Sequence, residues 1–332
     1  MRAMYRFLGA LVLALAATGA SSAGIVEQAR GSDGPWDYVG FDAAHHRVLI
    51  ARGDGVVSLD TATNILTAFA PGARVHAVIA LPDGRILTTN GTANTATLIN
   101  GTSGRIEATV GVGIDPDAAV YDPATRSAFV MNAHSGDISV IDLRSAREVS
   151  RVQVGGALEF AVVDGQGRLF VNAEDRNEIV VFDTVRRRVT ARYPLAGCNA
   201  PTAMAYVAAY HLLITACGNG HAFVLRSTDG RPIADLAIGP HPDQMVYDAG
   251  RRVAYIPTAG SAELNGEIAV VSITGPTSVS VTAHIPTSRG TRTIAEDPAT
   301  GRLYLPTADY AVTTAGRPQP APGTFRVLVV QP

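Results

Sequence analysis

A short pattern recurs along this chain roughly every 40 residues, and it limits the fold more than any other feature. An apolar run ends in a small or polar residue, a polar loop follows, and a second apolar run closes, most often on Asp or Asn. The closing residues are Asp60, Asn100, Asp142, Asp183, Arg226, Ser272 and Val329, spaced 40 to 46 apart until a final interval of 57. That period, with runs this short, is the signature of β-propeller blades and fits no helical repeat. Seven markers predict an all-β, seven-bladed propeller built of four-stranded antiparallel blades.

Blade 3 shows the internal order. Ala118 to Asp122 reads as the inner strand, Pro123-Ala124-Thr125 as its turn, and Ser127 to Asn132 as the second strand. Ala133 to Asp137 is a loop, Ile138 to Asp142 the third strand, and Arg147 to Val154 the outer strand, where apolar and polar residues alternate. Inner strands such as Ala118-Ala119-Val120 and Ala203-Met204-Ala205 are small and apolar, as crowding near an axis requires. Blade 7 has only three strands of its own, the third being Phe325 to Val330. Gly24 to Arg30 is expected to supply the fourth, which removes two exposed sheet edges. Between the second and third strands of that blade lies Ala308 to Gly323, a long flap with Pro318, Pro320 and Pro322. Loops of this length in compact folds are often functional, although a tolerated insertion reads the same way.

Residues 1–23 read as a secretory signal, leaving 24–332 as the propeller. Arg2 and Arg6 open it, Phe7 to Ala17 is an apolar run too short to span a bilayer, and Ser21-Ser22-Ala23 offers a cleavage site ahead of Gly24. No later apolar run reaches transmembrane length. Cys198 and Cys217 are the only cysteines and flank one expected hairpin, so in an exported chain they read as a disulfide; a redox or metal pair is the alternative.

Several chemistries are excluded. All 27 Lys+Arg residues are Arg, so Schiff-base catalysis, a phosphate-loop lysine and a Ser–Lys pair are out. No haem-attachment Cys-x-x-Cys-His, Gly-x-Ser-x-Gly elbow or Gly-rich phosphate loop occurs. WD dipeptides do not recur, and Trp36 is the single Trp, which removes the Trp-docking pattern of quinone-cofactor propellers. A net charge of −2 gives no nucleic-acid footprint over the whole surface. Arg186-Arg187-Arg188 falls in an outer-edge turn, where it reads as a solvated edge guard, with nucleic acid or an acidic partner as the alternative.

Aligning the repeats places one residue per blade at the mouth of each inner strand: Asp37, His76, Asp117, Glu159, Thr202, Asp243 and Arg292. Such positions converge on a propeller's axis and form a candidate ligand-binding ring. Asp37, Asp117, Glu159 and Asp243 are candidate metal ligands, and an oxygen-rich set suits Ca, Mg or Mn. His76 is a candidate general base and Arg292 a candidate holder of a carboxylate or enolate. A solvated rim serving only solubility is the plain alternative. Of the other histidines, His134 lies on the same face and could extend the ring. His45 and His46 fall in a turn on the opposite face, while His211, His221, His241 and His284 have no partner at metal spacing.

The second strands carry variants of a Tyr-Val-Thr-Asn signature: Phe129-Val130-Met131-Asn132, Leu87-Thr88-Thr89-Asn90 and Tyr304-Leu305-Pro306-Thr307. Together with third strands closing in Asp, these resemble the YVTN-repeat, YncE-like propellers of exported bacterial proteins. Gly197-Cys198-Asn199-Ala200-Pro201-Thr202 with Ala216-Cys217, Gly290-Thr291-Arg292-Thr293, and Phe325 to Val330 fit the same pattern. The resemblance implies a seven-bladed fold in the periplasm or outside the cell and is weak for function. The expected protein is a monomeric, non-enzymatic binding or interaction module that uses its funnel face and the blade-7 flap. Its partner would be a small molecule or a periplasmic protein rather than nucleic acid, and no membrane span would remain after signal cleavage. A divalent-cation-dependent lyase or lactone hydrolase centred on the ring is the alternative.

Overall fold

The computed structural model describes residues 23–261, 264–312 and 318–332. The signal-peptide reading therefore falls, but for Ala23, outside the described residues, as does the tip of the blade-7 flap at 313–317. Seven four-stranded antiparallel sheets succeed one another along the chain. Blade 3 comprises Pro116–Asp122, Ser127–Asn132, Asp137–Asp142 and Arg147–Gln153, within two residues of the expected bounds throughout. Among the described residues there is no helix long and apolar enough to cross a membrane.

The markers that reveal the period have a local cause. Asp60 accepts hydrogen bonds from the amides of Ala62 and Thr63, Asn100 from Thr102 and Ser103, and Asp183 from Val185 and Arg186. A side chain that mimics the backbone turns the chain from third strand to outer strand. The signature Asn likewise staples a hairpin: Asn132 Nδ2 reaches the Asp137 carbonyl, its carboxylate and Ser139 Oγ, and Asn90 does the same near Thr95 and Thr97. Both asparagines are buried and structural.

The core lies between blades, where second and third strands are buried on both faces, as in Ser127–Asn132. Outer strands are half exposed; Arg147–Gln153 alternates exposed and partly buried residues along its whole length. Gly24–Arg30 pairs antiparallel with Arg326–Gln331, which continues to Leu303–Thr307 and the short inner strand Ala295–Glu296. Blade 7 is thus completed from the other end of the chain. Cys198 and Cys217 form a disulfide, with Cα atoms 5.6 Å apart.

Blades 6 and 7 depart from the others near the axis. Their inner strands shrink to Val246–Asp248 and Ala295–Glu296. Gln244 fills the deficit: its buried side chain donates to the Val39 carbonyl at 2.8 Å and accepts from the Val39 amide at 3.0 Å, bridging blade 6 to blade 1.

Candidate functional site

In blades 1 to 5 the ring residue is the second residue of its inner strand, and the pairing register slips just there. The slips fall between Trp36 and Val39, Val75 and Val78, Pro116 and Ala119, Leu158 and Ala161, and Pro201 and Ala203. A bulge frees a residue from the ladder and re-aims its side chain, here toward the axis. Two positions earlier, Arg74, Asp115, Ala200 and His241 adopt left-handed backbone with φ of 53 to 58°. In each case the carbonyl then accepts from the residue just past the blade's second strand, as Arg74 does from Gly91 and Asp115 from Ala133. Asp243 and Arg292 occupy the equivalent place three residues ahead of their shortened strands.

These residues form a connected network. His76 Nδ1 lies 2.6 Å from Asp37 Oδ2 and 3.1 Å from Asp117 Oδ1. Asp117 Oδ2 is 3.1 Å from the hydroxyl of Tyr38, which is 3.2 Å from Glu159 Oε2. The sequence Asp37–His76–Asp117–Tyr38–Glu159 is therefore a continuous chain of hydrogen bonds and an ion pair across four blades. One phenolic proton cannot serve two carboxylates, so the arrangement is best satisfied when one carboxyl is protonated and donates to Tyr38. Asp243 instead pairs with Arg292 at 3.2 Å, and Thr202 Oγ1 donates to the Pro242 carbonyl. Asp37, His76 and Asp117 bring donor atoms within 4.8 Å of one another; Glu159 joins the network through Tyr38, while Asp243 stands apart with Arg292.

Burial sets the electrostatics. Loss of hydration, then the charge of Asp37, push Asp117 up to about 7 against the pull of His76. Burial likewise pushes Asp243 up to about 7 although Arg292 opposes it, and raises Glu159 well above the carboxylate range with help from Asp117 and Asp243. Burial works against a charged His76, yet the hydrogen bond to Asp37 and the charges of Asp117 and Asp37 prevail and raise it. The Tyr38 phenol, buried among these carboxyls, is raised well above its ordinary value and stays protonated. The mouth thus keeps some of its carboxylates neutralised by bound protons, which a cation could displace.

Tyr38 is the floor of this mouth. It packs edge-on against Phe160, ring centroids 5.3 Å apart, and joins the core cluster containing Ala77 and Ala118. Further along the inner strands, an apolar cavity of about 460 Å³ is lined by Ile79, Val120, Phe160, Val162 and Tyr206. On the rim, Tyr310 at the base of the blade-7 flap lies against Gly290, where a side chain would collide with its ring. The flap also ties to blade 1 through Gly323 and Asp33, and to blade 7 through the Asp309–Arg326 ion pair at 2.8 Å.

The remaining candidates lie elsewhere. His134 is exposed in a cleft with Gln153 and Arg176. His45 ties Asp42 to Thr102. His211, His221 and His284 contact Tyr206, Asp235 and Glu267 respectively. In the basic cluster, Arg186 pairs with Asp183 at 3.0 Å and Arg187 reaches a backbone carbonyl. Sequence reasoning missed Tyr38, Gln244 and Asp115, whose Oδ1 is 3.7 Å from His76 Nε2. Only the spacing of Asp115 to Asp117 hinted at any of them.

No protein-family model matches the chain, and no curated protein matches its sequence. Solved structures do share its fold. It is similar to a chain of a mitotic checkpoint complex, with a TM-score of 0.75 and 12% identity, covering 100% of this chain and 99% of that one. U3-55K superposes with a TM-score of 0.76 at 9% identity, and the WD40 repeats of RRP9 with 0.77 at 9%, each covering 92% of this chain and 98% of the other. Identities this low show the fold alone: the chain is a seven-bladed β-propeller.

Proposed function

We propose that this chain is an exported, monomeric β-propeller of the YVTN-repeat, YncE-like kind that acts as a binding module through the acid-rich mouth of its axis. In this reading the signal at residues 1–23 is removed and the propeller from Gly24 works in the periplasm or outside the cell. The disulfide supports an oxidising compartment, since such bonds persist there. The similar chain from a mitotic checkpoint complex belongs to an assembly, which fits use of this scaffold for interaction.

The observation that carries the proposal is the network from Asp37 to Glu159. Four polar side chains from four blades converge over a tyrosine floor, and buried carboxyls among them are held partly protonated by their surroundings. Buried acidic groups arranged in this way favour a cationic ligand, either a divalent ion or a small molecule with a cationic group. Asp243, Arg292 and Thr202 would line the other side of the same mouth.

One observation favours the enzymatic alternative, a cation-dependent lyase or lactone hydrolase. Asp37 holds Nδ1 of His76, which leaves Nε2 as the basic atom, and Arg292 lies on the same mouth to hold a carboxylate or enolate. A thermal-shift screen of divalent ions and small cationic compounds tests the binding reading. Small cationic compounds should raise the melting temperature of the wild-type protein but not of an Asp117→Asn, Glu159→Gln variant. Stabilisation that persists in the variant would move the binding site away from the axis.

A further inference from the structure

The geometry points to a site for a divalent first-row transition metal, zinc by ligand type, at the rim of this mouth, coordinated by His76 Nε2 and Asp115 Oδ1. The inference rests on the reading of the mouth as a binding site and specifies which atoms bind an ion there.

His76 is only 8% exposed, and its two ring nitrogens differ sharply. Nδ1 is anchored by Asp37 and Asp117. Nε2 is buried and has no hydrogen-bond partner, a costly state for a ring nitrogen unless something else satisfies it. An imidazole whose other nitrogen is held by carboxylates is the usual arrangement of a metal-binding histidine, because the outer partners fix the tautomer and raise the basicity of the free nitrogen.

Asp115 supplies the second donor. Its Oδ1 is 3.7 Å from Nε2, too far for a hydrogen bond. Two metal bonds of about 2.1 Å bridging that separation would subtend roughly 120°, near the tetrahedral geometry zinc prefers. The left-handed backbone at Asp115 places the carboxylate there, and its amide is held by Asn94 Oδ1 at 2.9 Å.

Gly91 keeps both donors clear. A Cβ at this position would lie 2.7 Å from His76 Nε2 and 2.7 Å from Asp115 Oδ1. The point nearly equidistant from both donors is therefore the place a side chain at 91 would occupy. Calcium fits poorly, since it takes six to eight oxygens, while Asp37 and Asp117 are engaged with Nδ1. Arg74 is the competing cation: its Nη1 is 3.3 Å from Asp115 Oδ1, and its side chain is 59% exposed and able to swing away. Water would complete the coordination sphere, leaving open positions facing the mouth.

Titration of the untagged protein with Co(II) and Zn(II), read by Co(II) visible absorption and by calorimetry, tests the site. One ion per chain is expected, with affinity falling at least tenfold in Asp115→Asn and in Gly91→Ala. Gly91 has ordinary backbone geometry, so alanine there adds only a methyl group. Arg74→Gln should tighten binding several-fold, which a purely structural role for Asp115 would not produce. His221→Ala, at the exposed His221–Asp235 pair, should change nothing. Binding that survives Asp115→Asn but is lost in Asp117→Asn would overturn the assignment and move the ion to the Nδ1 side, leaving the mouth as the binding site. Loss in His221→Ala instead would place the ion on the outer surface. Failure of any divalent ion to bind, while an organic cation still stabilises the protein through Asp117 and Glu159, would remove the metal site and spare the broader reading.

Discussion

At the scale of single residues, the mouth makes stability depend on pH in a fixed direction. Asp117 and Asp243, both at about 7 in the folded protein, bind protons more tightly there than in an unfolded chain, where carboxyls titrate near 3.8. The folded state therefore carries extra protons, and stability falls as pH rises from about 4 through 7. His76, also raised, acts in the same sense just above its ordinary 6.5. Each tenfold difference in proton affinity is about 1.4 kcal/mol. Melting temperature in chelator-containing buffer should thus drop between pH 5.5 and 8, and Asp117→Asn should flatten the profile; a wild-type profile that rises over this range would contradict the burial argument. The ring positions were legible because each occupies the same place in its repeat. Tyr38 was not, because a bulge turns consecutive residues Asp37 and Tyr38 into one network, whereas plain alternation would send them to opposite faces. Asp115 escaped for a related reason: its spacing from Asp117 was only a hint, because its left-handed backbone follows from the turn rather than from the Ile-Asp-Pro-Asp sequence itself.

At the scale of strands and turns, periodicity carried nearly everything. Apolar runs gave the strands of blade 3 to within two residues, and the Asp and Asn that close third strands proved to be turn-makers. The inner strands of blades 6 and 7 are the exceptions to this regularity, because pairing stops short there and the Gln244 amide takes the place of strand hydrogen bonds. A single Gln gives no periodic signal. The last two markers also fall inside their strands, which run on to Ile273 and Gln331. The disulfide joins the loop before the blade-5 inner strand to the end of the second strand, across a separation of 19 residues. Its removal in a Cys198→Ser, Cys217→Ser variant should cost about 3 kcal/mol in the loop-entropy view. Urea denaturation would read this as a lower midpoint with a nearly unchanged slope, and an unchanged midpoint would mean that the surrounding packing alone holds the loop.

At the scale of the whole molecule, the count of blades followed from the repeat length, and closure followed from a blade short of one strand. The joint matters because a ring has no edge only while it is closed. Deleting residues 24–31 would bare the Arg326–Gln331 edge and open the cluster holding Ala29, Phe325, Val327 and Val329. The expected loss of stability exceeds that from opening the disulfide, visible as a lower melting temperature and as aggregates in size-exclusion chromatography. A truncated chain that melts like the full one would show that blade 7 holds with three strands. Function was the least legible level, since a repeat specifies a scaffold while the chemistry of the mouth rests on a few distances that no spacing reveals.

The clasp also decides where the chain can be attached to other things. Gly24 faces Gln331 on the outermost strands of blade 7, so the two ends of the folded segment emerge side by side on the perimeter. A linker of a few residues would join them, and a fresh start cut into a loop between two blades would give a circular permutant with the seam between whole sheets. A tether or fusion at either end would hang from the rim and leave the axial mouth unobstructed.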